Sequence, residues 1–348
     1  MNLLLGNSTD FWVPTFLLND YSNIVWSNLP LFLLMSLLIA LSGWLVVYAM
    51  IVVYTVRRVH ENATWLIVSL LAGWFEGILG VILIFPYKYG IVSLGDPSKV
   101  FYGFESKSLL SLELSWRCAP LLLGSILVWH YLGLLISGIF CLVVERTLAT
   151  LYFCDYETTP RKWITYSLIF YYHASAIVIS LFFCFHVLSL STLLICNVLG
   201  FAVSFPYIFL LRYYNITARN RMRLAQNITK HSLTAKFQTE ENVRSMNIAA
   251  RIAIVCSSFD ALFLLVIILA TTDAPGAALF FQATECVLFL NPLFLVPGVV
   301  SSVADWRNRF LQYMPINRFR IDPDHNPYVQ NDQRHAEIHF LQLQNLWI

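Results

Sequence analysis

The chain has 348 residues, 58% of them hydrophobic and only 12% charged, against about 25% charged in an ordinary soluble domain. This excludes a soluble globular protein: the apolar surface is too large to hide from water, and the charges cluster with long uncharged stretches between them. The net charge of +2 gives no reason to expect a nucleic-acid partner, so the lipid membrane is the partner that composition names.

Residues 1–28 precede the first span and are expected to form an extracellular segment. They lack the positive start and long apolar run of a cleaved leader, so the first span is expected to serve as the insertion signal. Asn7-Ser8-Thr9 is a glycosylation sequon. A span needs about 20 apolar residues. The first reads from Leu29 to Val56, ended by Arg57 and Arg58. The second runs from Ala63 to Tyr87, ended by Lys88, and the third from Ala119 to Val144. No formal charge occurs from Trp163 to Leu211, a stretch that fits two helices with a tight turn near His186 to Ser191. The sixth span runs from Ile252 to Ala270 and the seventh from Ala278 to Val303. The predicted fold class is an all-α membrane protein, a seven-transmembrane helix bundle over residues 29–303. In the tail, 304–348, Trp306, Phe310, Tyr313 and Met314 fall at i, i+4, i+7 and i+8. That spacing predicts a short amphipathic helix near 305–314, lying on the membrane.

Basic residues set the orientation. The side of the C-terminus holds 18 of the 22 Lys and Arg residues; the other side has only Lys88, Lys99, Lys107 and Arg117. The N-terminus is therefore expected outside and the C-terminus in the cytoplasm. Asn7 would then face the lumen, while the sequons at Asn62, Asn215 and Asn227 would stay bare.

Five ionisable residues sit at membrane depth: Glu76, His130, His173, Asp260 and Glu285. A charge at the centre of a lone helix costs about 2.5–3.5 kcal/mol on insertion scales, so such groups face the bundle interior. His130, Glu285 and Glu76 are candidates to meet a ligand. Glu76, Asp260 and Asn291 are candidates for a buried network that holds a cation or changes protonation; alternatively, each bonds a neighbouring helix. Asn291-Pro292 removes a backbone hydrogen bond in the seventh span, so Asp260, Asn291 and Pro292 are read as an intramembrane switch. The seven cysteines match no zinc or redox spacing. A disulfide from Cys118, atop the third span, to Cys184 or Cys196 is one option. No metal site or cofactor is expected. No span carries His-Glu-x-x-His or a nucleophile elbow, so no enzyme is expected either.

Seven spans, an outer N-terminus, basic inner loops and Glu145-Arg146 at the end of the third span together resemble a G-protein-coupled receptor. Asn291-Pro292 stands where that family has its seventh-span motif, with Leu295 in place of the closing tyrosine. The closer resemblance is to the nematode serpentine chemoreceptors of class epsilon, the Sre family. It is carried by "HENATWLIVSLLAGWFEGILGVILIFPYKYGIV" from His60, by "VERTLATLYFCDYETTPR" ending at Arg161, and by "NPLF" followed by "DWRNRF". The resemblance implies a chemosensory receptor in the plasma membrane, at the cilia of sensory neurons. Its partners would be a small-molecule ligand, bound in the outer half of the bundle, and a heterotrimeric G protein. The G-protein face would comprise Glu145, Arg146, Asp155, Arg219 and Arg223. The alternative is an ion channel or transporter that uses Glu76, Asp260 and Glu285 as a path, though no internal repeat supports a transporter.

Overall fold

The computed structural model describes residues 2–5, 9–15, 17–18, 29–56, 59–94, 101–102, 110–112, 116–152, 161–225, 233–271 and 277–312. Contacts divide the chain into a unit Met1–Arg307 and a unit Asn308–Ile348. Within the described residues, seven helices are long and apolar enough to cross a membrane, so the chain is a seven-transmembrane bundle and an integral multi-pass membrane protein. Leu37, Phe170 and Val203 are among many large side chains left exposed, as a lipid-facing surface requires.

Helix α1 spans Leu29–Thr55. Helix α2, Glu61–Lys88, starts where His60 Nδ1 accepts from Asn62 N, and carries Glu61 in its first turn and Lys88 in its last. Both charges suit the helix dipole. Helix α3, Ala119–Leu151, has proline in its first turn, where the missing N–H costs nothing. The third span was expected to end at Val144, but the helix continues about two turns further. Glu145 and Arg146 do not end it, because they neutralise each other inside the packed bundle.

The uncharged block splits as expected, into α4 (Lys162–Cys184) and α5 (Leu190–Ala225). His186 adopts a left-handed φ of 58° in the turn, and Val187 N and Leu188 N both donate to Phe182 O. Helix α6, Leu233–Thr271, begins well before its apolar part. The seventh span is broken into α7 (Ala277–Phe289) and α8 (Pro292–Ser301). Helix α9 follows over Ala304–Gln312; its residues 308–312 belong to the second unit. Its Trp306 is fully buried, with Nε1 donating to Val56 O at 2.9 Å. That indole therefore docks on the end of α1 instead of dipping into lipid. Tyr313 and Met314 lie outside the described residues.

Helix α3 is the hub, packed against α2, α4, α5 and α6. It meets α2 where both backbones are bare: a Cβ on Gly80 would stand 2.7 Å from Gly124 O, and one on Gly124 would stand 2.7 Å from Gly80 O. Membrane helices gain their packing energy from such small-residue contacts, since lipid offers no hydrophobic drive between them.

Short strands close the end of the bundle that carries the N-terminus. Strand β1 (Asn2–Leu5) pairs antiparallel with β2 (Thr9–Trp12) and parallel with β5 (Leu110–Leu112). Strand β3 (Leu17–Leu18) pairs antiparallel with β4 (Phe101–Tyr102). Phe11, Trp12 and Val13 are buried. The Trp12 ring packs on Trp129, Phe183 and His186, and Trp129 Nε1 donates to Trp12 O at 3.3 Å. The segment before the first span is thus partly a folded cap.

Candidate functional site

Four polar assemblies follow one another along the bundle. At the N-terminal end, Glu285 on α7 is held by Lys88 on α2 and accepts from Thr15 Oγ1 at 3.3 Å. Lys88, which was read only as the end of a span, therefore satisfies the carboxylate nearest the N-terminal end of the bundle. Nearby, Tyr87 OH donates to Arg117 O. The optional disulfide from Cys118 is not made in this structure: Cys118 and Cys184 are both buried free thiols, and Cys196 is an exposed one. For Cys184 the reason is register. A Cβ on Gly133 would stand 3.0 Å from the Ala176 Cα, so in this antiparallel pair Cys184 lies level with residues near 125. Cys118 is then displaced by about 10 Å along the axis at 1.5 Å per residue, beyond the reach of a disulfide.

Deeper in the bundle, three helices bring ionisable groups together. His130 Nδ1 on α3 lies 2.7 Å from Glu76 Oε2 on α2, and His130 Nε2 lies 3.4 Å from His173 Nδ1 on α4. The two imidazoles stack with centroids 5.3 Å apart. Tyr172 stacks on His173 and shares a hydrogen bond with Ser69 on α2. Sequence reasoning picked out Glu76 and His130 but did not join His173 to them. All three are ionisable residues mid-span on consecutive helices, which was the available signal.

At the break in the seventh span, Leu293 N bonds Leu290 O and Leu295 N bonds Asn291 O. Proline 292 has no N–H, so the regular ladder lapses there. Two neighbours bond the chain at this point, one to a freed carbonyl and one to the Asn291 side chain. Trp74 Nε1 on α2 donates to Phe289 O at 3.0 Å, and Asn291 Nδ2 donates to Tyr131 OH on α3 at 2.5 Å. Asp260 bonds elsewhere, accepting from Asn197 Nδ2 on α5 at 3.1 Å. The expected network of Glu76, Asp260 and Asn291 is therefore three separate contacts. Trp74 and Tyr131, which no sequence signal marked, hold the break.

Towards the other end, Arg146 grips Glu145 twice, through Nε and Nη2, both at 2.5 Å. Their side chains are 3% and 0% exposed. Thr150 Oγ1 accepts from Asn215 Nδ2 at 3.0 Å, tying α3 to α5. Arg212 Nε donates to Asn247 Oδ1 at 2.7 Å, tying α5 to α6. Sequons Asn62 and Asn215 are both buried; the first accepts from Thr165 Oγ1 and the second bonds Thr150, so each has a structural role. A cavity of about 380 Å³ lies between α5, α6 and the start of α9, lined by Arg219, Glu240, Arg244, Arg251 and Asp305. Arg219 pairs with Glu240 at 3.7 Å, Arg244 with Asp305 at 3.9 Å, and Arg251 donates to Ser302 O at 2.8 Å. Asn7, Asp155 and the side chain of Arg223 lie outside the described residues.

The bundle matches known proteins along its whole length. Residues 1–348 match the family described as Sre G protein-coupled chemoreceptor. Serpentine receptor class epsilon-37 of Caenorhabditis elegans is 27% identical, with all of both chains covered. Serpentine receptors class epsilon-38 and epsilon-45 of the same nematode are each 27% identical, covering 89% and 88% of this chain and 87% and 86% of their own. No solved structure matches the chain to a significant degree. These relatives are receptors by name, not enzymes. The chain therefore belongs to the Sre family, the serpentine receptors of class epsilon.

Proposed function

We propose that the protein is a chemosensory receptor that binds a small molecule in the half of the bundle nearest its N-terminus and signals to a heterotrimeric G protein. The N-terminus is outside and the C-terminus cytoplasmic, with 304–348 as an inner tail; the surplus of basic residues at the C-terminal end supports this. The plasma membrane, at sensory cilia, is the place of action. Glu76, His130 and Glu285 bear on the ligand, with Glu285 acting through its pair with Lys88. Asp260, Asn291 and Pro292 form the moving part. Glu145, Arg146, Asp155, Arg219 and Arg223 serve the G-protein face.

One observation carries this reading: Glu145 and Arg146 form a pair that is closed and buried, in the half of the bundle that also holds a cavity rimmed by arginines of α5 and α6. Opening the pair would release a guanidinium for a docking protein, a two-state element that a ligand can bias. The test is expression with promiscuous G proteins and a screen of volatile and water-soluble odorants. Ligand-evoked signalling should vanish in Arg146→Ala without loss of surface expression. A ligand-gated current that persists with G proteins inactivated would make the chain a channel instead.

A further inference from the structure

We infer that Glu76, His130 and His173 form a binding site for one divalent first-row transition-metal ion of the zinc class, bridging α2, α3 and α4. The three side chains each present one ligand atom, and these atoms lie within 4.8 Å of one another. The inference does not rest on the receptor reading, because metal binding is measurable whether or not the protein signals.

The geometry is specific. His130 Nδ1 lies 2.7 Å from Glu76 Oε2. With the carboxylate accepting the Nδ1 proton, the lone pair of His130 sits on Nε2. That atom is 3.4 Å from His173 Nδ1, long for a hydrogen bond. It is the spacing of two nitrogens on one tetrahedral ion, since bonds of about 2.05 Å at the tetrahedral angle place ligands about 3.4 Å apart. A carboxylate that orients a metal-bound imidazole through its other nitrogen is a common supporting arrangement. Here Glu76 either does that or supplies an oxygen as third ligand. Both roles need its charge.

The donor set selects the ion. Two imidazoles and one carboxylate suit zinc and its neighbours; calcium and magnesium want oxygen alone. With Glu76 as third ligand the set leaves a fourth position open; with Glu76 supporting His130, two positions are open. His130 is nearly buried, with 9% of its side chain exposed, whereas Glu76 keeps 39% exposed, so the cluster is open on the Glu76 side. A bound dication would offset the carboxylate at membrane depth, where an isolated charge is costly. It would also lock three helices at one level.

The test uses the full-length receptor purified in detergent and stripped with chelator, with Zn²⁺ and Co²⁺ as the probes. One equivalent of Zn²⁺ is expected to bind and to raise the melting temperature, because an ion held only by the folded bundle stabilises it. Co²⁺ should give the intense visible bands of a tetrahedral site. Glu76→Gln, His130→Ala and His173→Ala should each weaken Zn²⁺ binding by about 100-fold or more, at or above the loss usual for supporting groups. Each variant is scored by its zinc-dependent melting shift against its own zinc-free value, so a less stable variant still reports. His173→Gln replaces His173→Ala if the latter does not fold. No stoichiometric Zn²⁺ on the wild type would overturn the inference. So would Zn²⁺ binding that survives these substitutions, because the other histidines would then hold it.

Discussion

Glu145→Gln is the most informative single change at the C-terminal end. The wild-type carboxylate is fully buried and meets Arg146 through two contacts of 2.5 Å. Gln keeps the shape and one acceptor but removes the charge that faces the buried guanidinium. Breaking a buried pair in this way costs about 3–5 kcal/mol, and the retained acceptor argues for the lower end. The bundle can avoid that cost by moving to an arrangement in which Arg146 reaches solvent. If such a state is about 1% populated in the wild type, a penalty of about 2.7 kcal/mol brings it level with the resting one. The substitution should therefore raise ligand-independent signalling and lower the melting temperature together. The assay is second-messenger output in cells at matched surface expression, beside the melting curve of the purified protein. Wild-type values in both would refute the reasoning, because the buried pair would then store no free energy.

Gly80→Leu should lower the melting temperature strongly, since its side chain would start 2.7 Å from Gly124 O; Gly200→Leu, with nothing within 4 Å, should melt as the wild type does. Tyr131→Phe leaves the buried Asn291 amide without its acceptor and should cost about 1–3 kcal/mol. Combined with Asn291→Ala it should cost clearly less than the sum, and a double-mutant cycle on melting or on ligand-evoked signalling measures that coupling. Asn7→Gln should remove the glycan, read as a mobility shift after expression in cells, while Asn215→Gln should leave it in place; the reverse pattern would invert the proposed orientation.

The seven spans were legible because each needs a long apolar run that nothing else in the chain requires. The end of the third was misplaced because Glu145-Arg146 was treated as a stop signal. Charges stop a span where they meet water, and here they meet each other. The N-terminal cap was missed because its strands have two to four residues, and their partners in β4 and β5 lie far away in sequence. Within the bundle, an ionisable residue at membrane depth announces itself, so Glu76, His130, His173, Asp260 and Glu285 could be singled out from the sequence. Which of them meet depends on how each helix is rotated, and a single sequence does not carry that angle. Trp74 and Tyr131 stayed hidden because an aromatic in an apolar span reads as filler. Their polar tips become visible only when the broken seventh span presents a bare carbonyl and an amide to them.

The most direct test is nucleotide exchange on a purified heterotrimeric G protein by this receptor reconstituted in lipid nanodiscs. The account predicts that the Glu145→Gln receptor accelerates exchange over empty discs, and that adding Arg244→Ala and Arg251→Ala at the arginine-rimmed cavity abolishes the gain while the bundle stays folded. Exchange no faster than with empty discs, across the major G-protein classes, would contradict the claim that this face couples the bundle to a G protein.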